Sequence, residues 1–519
     1  MDSSIKAERP LERVLAIAEL WANVAAFLFP RQIRRLRLVS KRVYMACIPH
    51  YNLTLSLKSD TPSNIASDPH FQDLITTLRL VAIDQISPLL VRLLEKCSHI
   101  TTLEINDFGL DVDFLSKTLQ LCPRSLQSLA VRSDGFIPLQ SMVEALLDSA
   151  VASHIQMLSL DIGATGLDET HSLPWSSFRS VLDIFSSLTT LSLGCIKIMD
   201  VPESLEEIDP LHATTMTFPN MTSLTLKQCD ISGTDRYRLM RIFTNLKSLE
   251  ITCRDTIFDS DITNTASEND EVQSIDQLSC VNLKRVNIRC TNSRSLADQS
   301  GLYRLLKHLP SLEALELSGF GTDNQELVEM AEEWTRLGVQ LKHLSLNLNH
   351  RRVDDDVLER VLRQDCCSRL ESLDAWFGPD LILRFWNRAT EKSELPFLET
   401  LRSLYMRKEE EAENLQEEAI HVLNLALRQM PRLVDLVITT KLDDFAVVQG
   451  LGCDPKVPLP SPGSPVTVVP NWLHERPFLQ TLAVGVSEDM FLHKMVGELP
   501  RQIGKRFRFL EVFNIITKN

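Results

Sequence analysis

The chain has 519 residues, 44% of them apolar and 6% aromatic, with 54 Lys and Arg against 69 Asp and Glu. That length exceeds what one compact core covers, so several domains or an elongated repeat array are expected; the ordinary apolar and charged fractions exclude global disorder and a collagen-like chain. A net charge of −15 excludes general phosphate-backbone binding, which runs on excess Lys and Arg.

The charge is unevenly spread: residues 1–50 carry +5 and residues 51–519 carry −20. The apolar stretch from Val14 to Phe29 is interrupted by Glu19 and Asn23 and falls short of the roughly 20 residues a membrane span needs. Within the basic head, Leu20, Trp21, Val24, Phe27 and Leu28 share one helical face, and Pro30 ends that helix. Ile33, Leu36 and Val39 line a second stretch, surrounded by Arg31, Arg34, Arg35 and Arg37, and Ser40-Lys41-Arg42-Val43-Tyr44 opens a third. Three short amphipathic helices in so few residues bury little apolar area, which suits docking onto a partner helix face.

This head resembles an F-box. Glu19, Leu20, Trp21, Leu28, Pro30, Ile33, Leu36, Val39, Ser40, Lys41, Arg42 and Tyr44 match the family pattern, and the Leu36-to-Tyr44 run is its most specific part. The chain departs from the pattern at Ile17-Ala18, where a Pro precedes the Glu, and at Gln32, where an Asp is usual. The resemblance implies docking on the Skp-type adaptor of a cullin–RING ubiquitin ligase through Leu15, Glu19, Leu20, Trp21, Val24, Pro30, Ile33, Leu36, Val39, Ser40 and Lys41. The expected organisation is a helical head at 11–48, a connector and cap at 49–74, and a repeat array at 75–519.

From residue 75 onward the pattern apolar-x-x-apolar-x-apolar recurs. It begins with Ile75-Leu78-Leu80 and Ile100-Leu103-Ile105 and ends with Leu479-Leu482-Val484 and Leu510-Phe513-Ile515, fifteen copies spaced about 31 residues apart. The fourth and sixth residues of each copy point the same way from a short strand and the third, fifth and seventh the other way. One such strand cannot bury its apolar face alone, so the copies must stack into a parallel sheet. Helical periodicity fills the intervals, as at Ile86 to Leu94, Phe114 to Leu121, Met142 to Leu147, Leu302 to Leu309 and Ile420 to Met430. The expected fold is therefore α/β, a curved leucine-rich-repeat solenoid with parallel strands on the concave face and helices on the convex face.

The segment Leu224-Thr-Leu226-Lys-Gln-Cys229-Asp-Ile231-Ser resembles the cysteine-containing leucine-rich repeat, with Cys195, Cys253 and Cys290 near the equivalent place. In that family the thiol packs at the turn leaving the strand, as a small hydrophobe would. Eleven Cys without a CxxC pair, two of them adjacent at Cys366-Cys367, suit a reduced intracellular setting, cytoplasmic or nuclear. Residues 256–280 and 408–418 read as acidic interruptions, and 450–470, with six Pro, as an insertion within the longest interval.

On the strand face the third, fifth and seventh positions supply candidate target-binding residues: Arg285, Arg289, Glu316, His343, Asp374, Trp376, Tyr405 and Arg407. Trp, Tyr and Arg are the side chains most enriched at binding hot spots. Trp376 also has a packing role open to it, beside the weak apolar position Ala375. No GxSxG, Walker or HExxH pattern occurs, and no His or Cys stands at metal spacing, so neither catalysis nor a cofactor is expected. Two functional readings follow. One is a non-enzymatic substrate receptor of a ubiquitin ligase; the other is a leucine-rich-repeat scaffold or inhibitor-type binder whose head only caps the array.

Overall fold

The computed structural model describes residues 53–58, 75–82, 86–107, 111–133, 139–163, 171–199, 218–229, 242–253, 282–290, 306–319, 324–347, 353, 355–376, 395–407, 430–438, 481–485 and 512–516. The helical head expected at 11–48, with all its candidate docking residues, lies outside them, as do the interruptions at 256–280, 408–418 and 450–470. The chain divides into two compact units, Met1–Pro202 and Glu203–Asn519.

In the first unit the strands are β1 (Leu53–Leu57), β2 (Ile75–Val81), β3 (Thr102–Asp107), β4 (Ser128–Ser133), β5 (Met157–Ile162), β6 (His171–Pro174), β7 (Thr190–Gly194) and β8 (Ile196–Met199). Strands β1 to β5 and β7 pair in that order, all parallel, while β6 and β8 form a separate parallel ribbon. Between them lie helices α1 (Pro88–Lys96), α2 (Val112–Leu121), α3 (Leu139–Leu147) and α4 (Trp175–Ile184). In the second unit β9 (Ser223–Lys227), β10 (Ser248–Cys253), β11 (Arg285–Cys290), β12 (Ala314–Ser318), β13 (His343–Asn347) and β14 (Ser372–Trp376) pair successively. The series continues through β15 (Ser403–Arg407), β16 (Asp435–Ile438), β17 (Thr481–Gly485) and β18 (Val512–Ile516), again all parallel. Helices α5 (Asn324–Arg336) and α6 (Asp355–Leu362) lie between β12 and β13 and between β13 and β14.

Every one of the fifteen sequence copies supplies a strand, and consecutive copies align motif on motif: Leu249 with Val286, Val286 with Leu315, Leu315 with Leu344. The fourth and sixth positions are buried throughout the described copies, from Leu78 and Leu80 to Leu373 and Ala375. Full burial of one such side chain stabilises by about 1.5–3 kcal/mol, so the leucine pattern alone fixes which face of each strand turns inward. Strand β1 adds one parallel strand ahead of the first copy, within the connector.

The helices close the other side of this core. α1 starts at Ser87, whose hydroxyl accepts from Leu90 N at 3.1 Å, with Pro88 at its first position. α2 starts at Asp111, which accepts from Asp113 N at 3.1 Å. α5 buries Leu327, Val328, Met330, Ala331 and Trp334 along one stripe. The Trp334 indole donates to the Leu306 carbonyl at 2.8 Å, so its one polar atom is satisfied inside the core.

Two backbone devices recur. The second residue of each copy donates its N–H to the second residue of the copy before: Lys284 to Lys247, Glu313 to Lys284, Lys342 to Glu313, Glu371 to Lys342 and Arg402 to Glu371, at 2.7–2.9 Å. From Lys284 to Arg402 the side chains of that column alternate in charge, whereas Lys247 ahead of them is a second lysine. Lys284 Nζ and Lys342 Nζ reach Glu313 at 2.6 and 2.7 Å, and Arg402 reaches Glu371 at 3.8 Å. Hydrogen bonds from both lysines hold the Glu313 carboxyl down to about 2. The second device is a left-handed residue directly after a strand: Ala82, Cys195, Gln228 and Gly319, with φ of 52°, 55°, 52° and 83°. It turns the chain out of the sheet at a cost of about 1–2 kcal/mol where the residue is not Gly. At Gly319 a Cβ would lie 1.8 Å from the Cys290 carbonyl oxygen, so only Gly fits.

Cys97, Cys122, Cys195, Cys229, Cys290, Cys366 and Cys367 are buried thiols. Cys195, Cys229 and Cys290 sit at strand exits, as the repeat resemblance implies. Burial pushes the Cys122 thiol up to about 12, which keeps it protonated and unreactive. Among the described residues no group of His, Cys, Asp and Glu is arranged to hold a metal ion, and no helix is long and apolar enough to cross a membrane.

Candidate functional site

Because the fourth and sixth residues of each copy are committed to the core, the third and fifth project from the opposite face. In the second unit the register stacks them into two rows. The third-position row runs Ser248, Arg285, Ala314, His343, Ser372, Ser403, Asp435; the fifth-position row runs Glu250, Asn287, Glu316, Ser345, Asp374, Tyr405, Val437. Between β10 and β15 these rows line a groove of about 450 Å³.

Side-chain hydrogen bonds tie both rows together. Arg289, at the seventh position of β11, donates through Nη2 to Glu316 Oε1 at 2.9 Å and through Nε to Asn287 Oδ1 at 3.2 Å. Ser345 Oγ donates to Asp374 Oδ2 at 3.2 Å, and Ser403 Oγ donates to Asp435 Oδ2 at 2.9 Å. Tyr405 stands between these aspartates. Burial raises its phenol first, and the charges of Asp435 and Asp374 raise it further, so it stays a neutral hydrogen-bond donor.

The third-position row is different at its centre. Arg285 and His343 are exposed, and Ala314 alone separates them in the register. Among the described residues no ion-pair or hydrogen-bond partner reaches either the Arg285 guanidinium or the His343 imidazole. Adjacent strands lie about 4.8 Å apart, which puts these two backbones about 10 Å apart with a methyl group between them. Ser345, Asp374 and His343 line one groove, yet the Ser345 hydroxyl bonds Asp374 directly and the imidazole stands apart, so a hydroxyl–imidazole–carboxylate relay is not assembled.

The structure therefore brings Arg285, Glu316, His343, Asp374 and Tyr405 onto one groove and places Arg289 at its edge as the partner of Glu316. Trp376 and Arg407 stand opposite each other in the register of β14 and β15, next to the Asp374–Tyr405 pair; their side chains lie outside the description. Sequence reasoning left out Asn287, Ser345 and Asp435. The signal was present, since each occupies a third or fifth position of a copy. What hid Asn287 and Ser345 was their ordinary chemistry; Asp435 sits in a copy with no aromatic or basic neighbour at its face positions.

No protein-family model matches the chain, and no curated protein matches it. Among solved structures it is similar to a chain of the yeast Rad7–Elc1 complex, at 14% identity and a TM-score of 0.38, covering 94% of this chain and 95% of that one. It is similar to an internalin from Listeria monocytogenes at 16% identity and a TM-score of 0.35, covering 78% of this chain and 93% of that one. A third likeness is to TLR13 in a TLR13–ssRNA13 complex, at 15% identity and a TM-score of 0.36 over 83% of this chain; the chain spans 50% of that one. At TM-scores of 0.38 and below these likenesses decide nothing about function, and the repeat architecture rests on the strand register itself.

Proposed function

We propose that this chain is the substrate-recognition subunit of an SCF-type E3 ubiquitin ligase. In this reading residues 11–48 dock the Skp-type adaptor, the repeat array holds a target protein, and the chain itself performs no chemistry. Its contribution is proximity: holding the target raises the effective concentration of its lysines near the charged conjugating enzyme. The observation that carries the reading is the F-box-like residue pattern, above all Leu36 to Tyr44, set directly ahead of the repeats. The tied, groove-bearing strand face of the second unit supports the target-holding half, since it presents paired polar groups in a fixed frame.

The rival reading makes the head a cap for the array. Strand β1 already pairs with the edge of β2, so the first copy meets its backbone hydrogen bonds from the connector, and a capping head would have to cover β1. The test is co-purification of the full chain with the adaptor and cullin. Wild-type protein should retain both, and Leu20→Asp with Trp21→Asp should release them while the circular dichroism of the repeats is unchanged. Failure of the wild-type chain to retain the adaptor would sink the ligase reading.

A further inference from the structure

We infer that the groove between β11 and β13 seats a carboxylate side chain of an extended peptide segment, held between Arg285 and His343 over Ala314. The inference deepens the target-holding reading above by naming what the target presents. Its starting point is an asymmetry in charge pairing. Around the groove, Lys284 and Lys342 are paired with Glu313, Arg289 with Glu316, and Arg402 with Glu371. Arg285 and His343 are surrounded by these pairs yet have no acidic partner among the described residues. Glu316, the acidic side chain of the strand between them, is engaged by Arg289 at 2.9 Å.

The space between the guanidinium and the imidazole is set by sequence. Every other strand from β10 to β16 carries a larger side chain than alanine at its third position, and β12 carries Ala314. The notch lies between a forked guanidinium and an imidazole that line the same groove, groups that hold a carboxylate by charge-assisted hydrogen bonds. The same groove carries Glu250, Glu316 and Asp374, one row away along the strands. Those carboxylates repel a second negative charge, which favours a singly charged carboxylate over a phosphate carrying about −1.5 to −2. They also favour a basic residue beside the acidic one, set against Glu250 or Asp374. The committed occupant is therefore a mixed-charge peptide segment with one Asp or Glu flanked by Lys or Arg.

The experiment pans a displayed library of random twelve-residue peptides against the full chain and against its Arg285→Ala, Arg285→Glu and His343→Ala variants. Arg285 and His343 are exposed strand residues, so each variant is first checked for an unchanged thermal melt. Peptides enriched on wild type should carry an Asp or Glu next to a basic residue. Synthetic copies should lose about tenfold or more in affinity on Arg285→Ala, a loss of about 1.4 kcal/mol, and less on His343→Ala. Arg285→Glu should switch selection to peptides with Lys or Arg in place of the acid. Replacing the acid by phosphoserine should weaken binding. No enrichment, enrichment indifferent to the acid, affinities unchanged in Arg285→Ala, or tighter binding of the phosphoserine peptide each overturns the inference. The adaptor co-purification is scored separately. Adaptor retained with no peptide selection removes only this inference; peptide selection with no adaptor removes only the ligase reading.

Discussion

Strands β2 to β5 of the first unit present Thr77, Thr102, Ser128 and Met157 at the position where β11 to β13 of the second present Arg285, Ala314 and His343. The first face is a strip of hydroxyls, interrupted by Met157 at 48% exposure and crossed by the ion pair Arg79–Glu104 at 2.5 Å. The second carries a network of cross-strand contacts around Arg285 and His343, which have no partner among the described residues. The inward positions do not differ in kind: both units bury leucines and other aliphatics at the fourth and sixth places. The difference shows how a repeat fold separates its tasks. Inward positions set register and stability, and outward positions vary without disturbing either.

That separation can be broken most severely from inside. Trp334→Ala removes the largest fully buried side chain among the described residues and one of the two hydrogen bonds to the Leu306 carbonyl, with an expected loss of about 3–5 kcal/mol in urea unfolding of the full chain. If Arg285→Ala cost as much, inward and outward positions would not be separable at all. Gly319→Ala should follow at about 2–4 kcal/mol, from the left-handed φ together with the collision with the Cys290 carbonyl. Gly338→Ala is its internal control. It has φ 72° with nothing within 4 Å of the added methyl, so it should cost only about 1 kcal/mol. Equal losses at the two glycines would show that the close approach of the copies is not what demands Gly319.

Smaller effects separate the two faces by pH. The Glu313 carboxyl is held near 2 in the folded chain, below its ordinary value of 4.5. A depressed folded value means that its contribution is complete above 4.5 and is lost as pH falls from there towards 2. Glu313→Gln should therefore lower the urea midpoint at pH 6 and make progressively less difference by pH 3. The seam is solvent-accessible, so the effect stays at about 1 kcal/mol or less and shrinks in salt. Smallest of all, Arg79→Ala in the first unit should change stability by only about 0.2–1 kcal/mol, since Arg79 is exposed and Glu104 only half-buried. A larger loss there than at Glu313 would reverse the comparison between the units.

The strands were readable in the sequence because the leucine spacing states both their place and their inward face. Three of the helices were readable too; α1, α2 and α3 carry plain apolar periodicity. α5 was not. Its apolar stripe of Leu327, Val328, Ala331 and Trp334 is set among Glu326, Glu329, Glu332 and Glu333, and the apolar signal is diluted by a fully solvated face. The β6–β8 ribbon was also missed, because it pairs strands from two different intervals. At the site, position within the copy identifies which side chains share a face. It does not identify which are already satisfied, since Arg289 meets Glu316 across 27 residues of sequence and Ser345 meets Asp374 across 29. Pairing is a property of register, and it is pairing that distinguishes Arg285 from Arg289.

The charged seam at the second position of each copy has a consequence for how such a chain can change. Cutting out residues 313–341 would remove one whole copy and bring Lys342 in behind Lys284, with the backbone ladder free to reclose. The glutamate that both lysines share would be gone, and two like charges would meet where a bridge had been. Length alone therefore does not make the copies interchangeable parts. Between Lys284 and Arg402 each copy is keyed to its neighbours by sign, and the order of those repeats is written along the edge of the sheet.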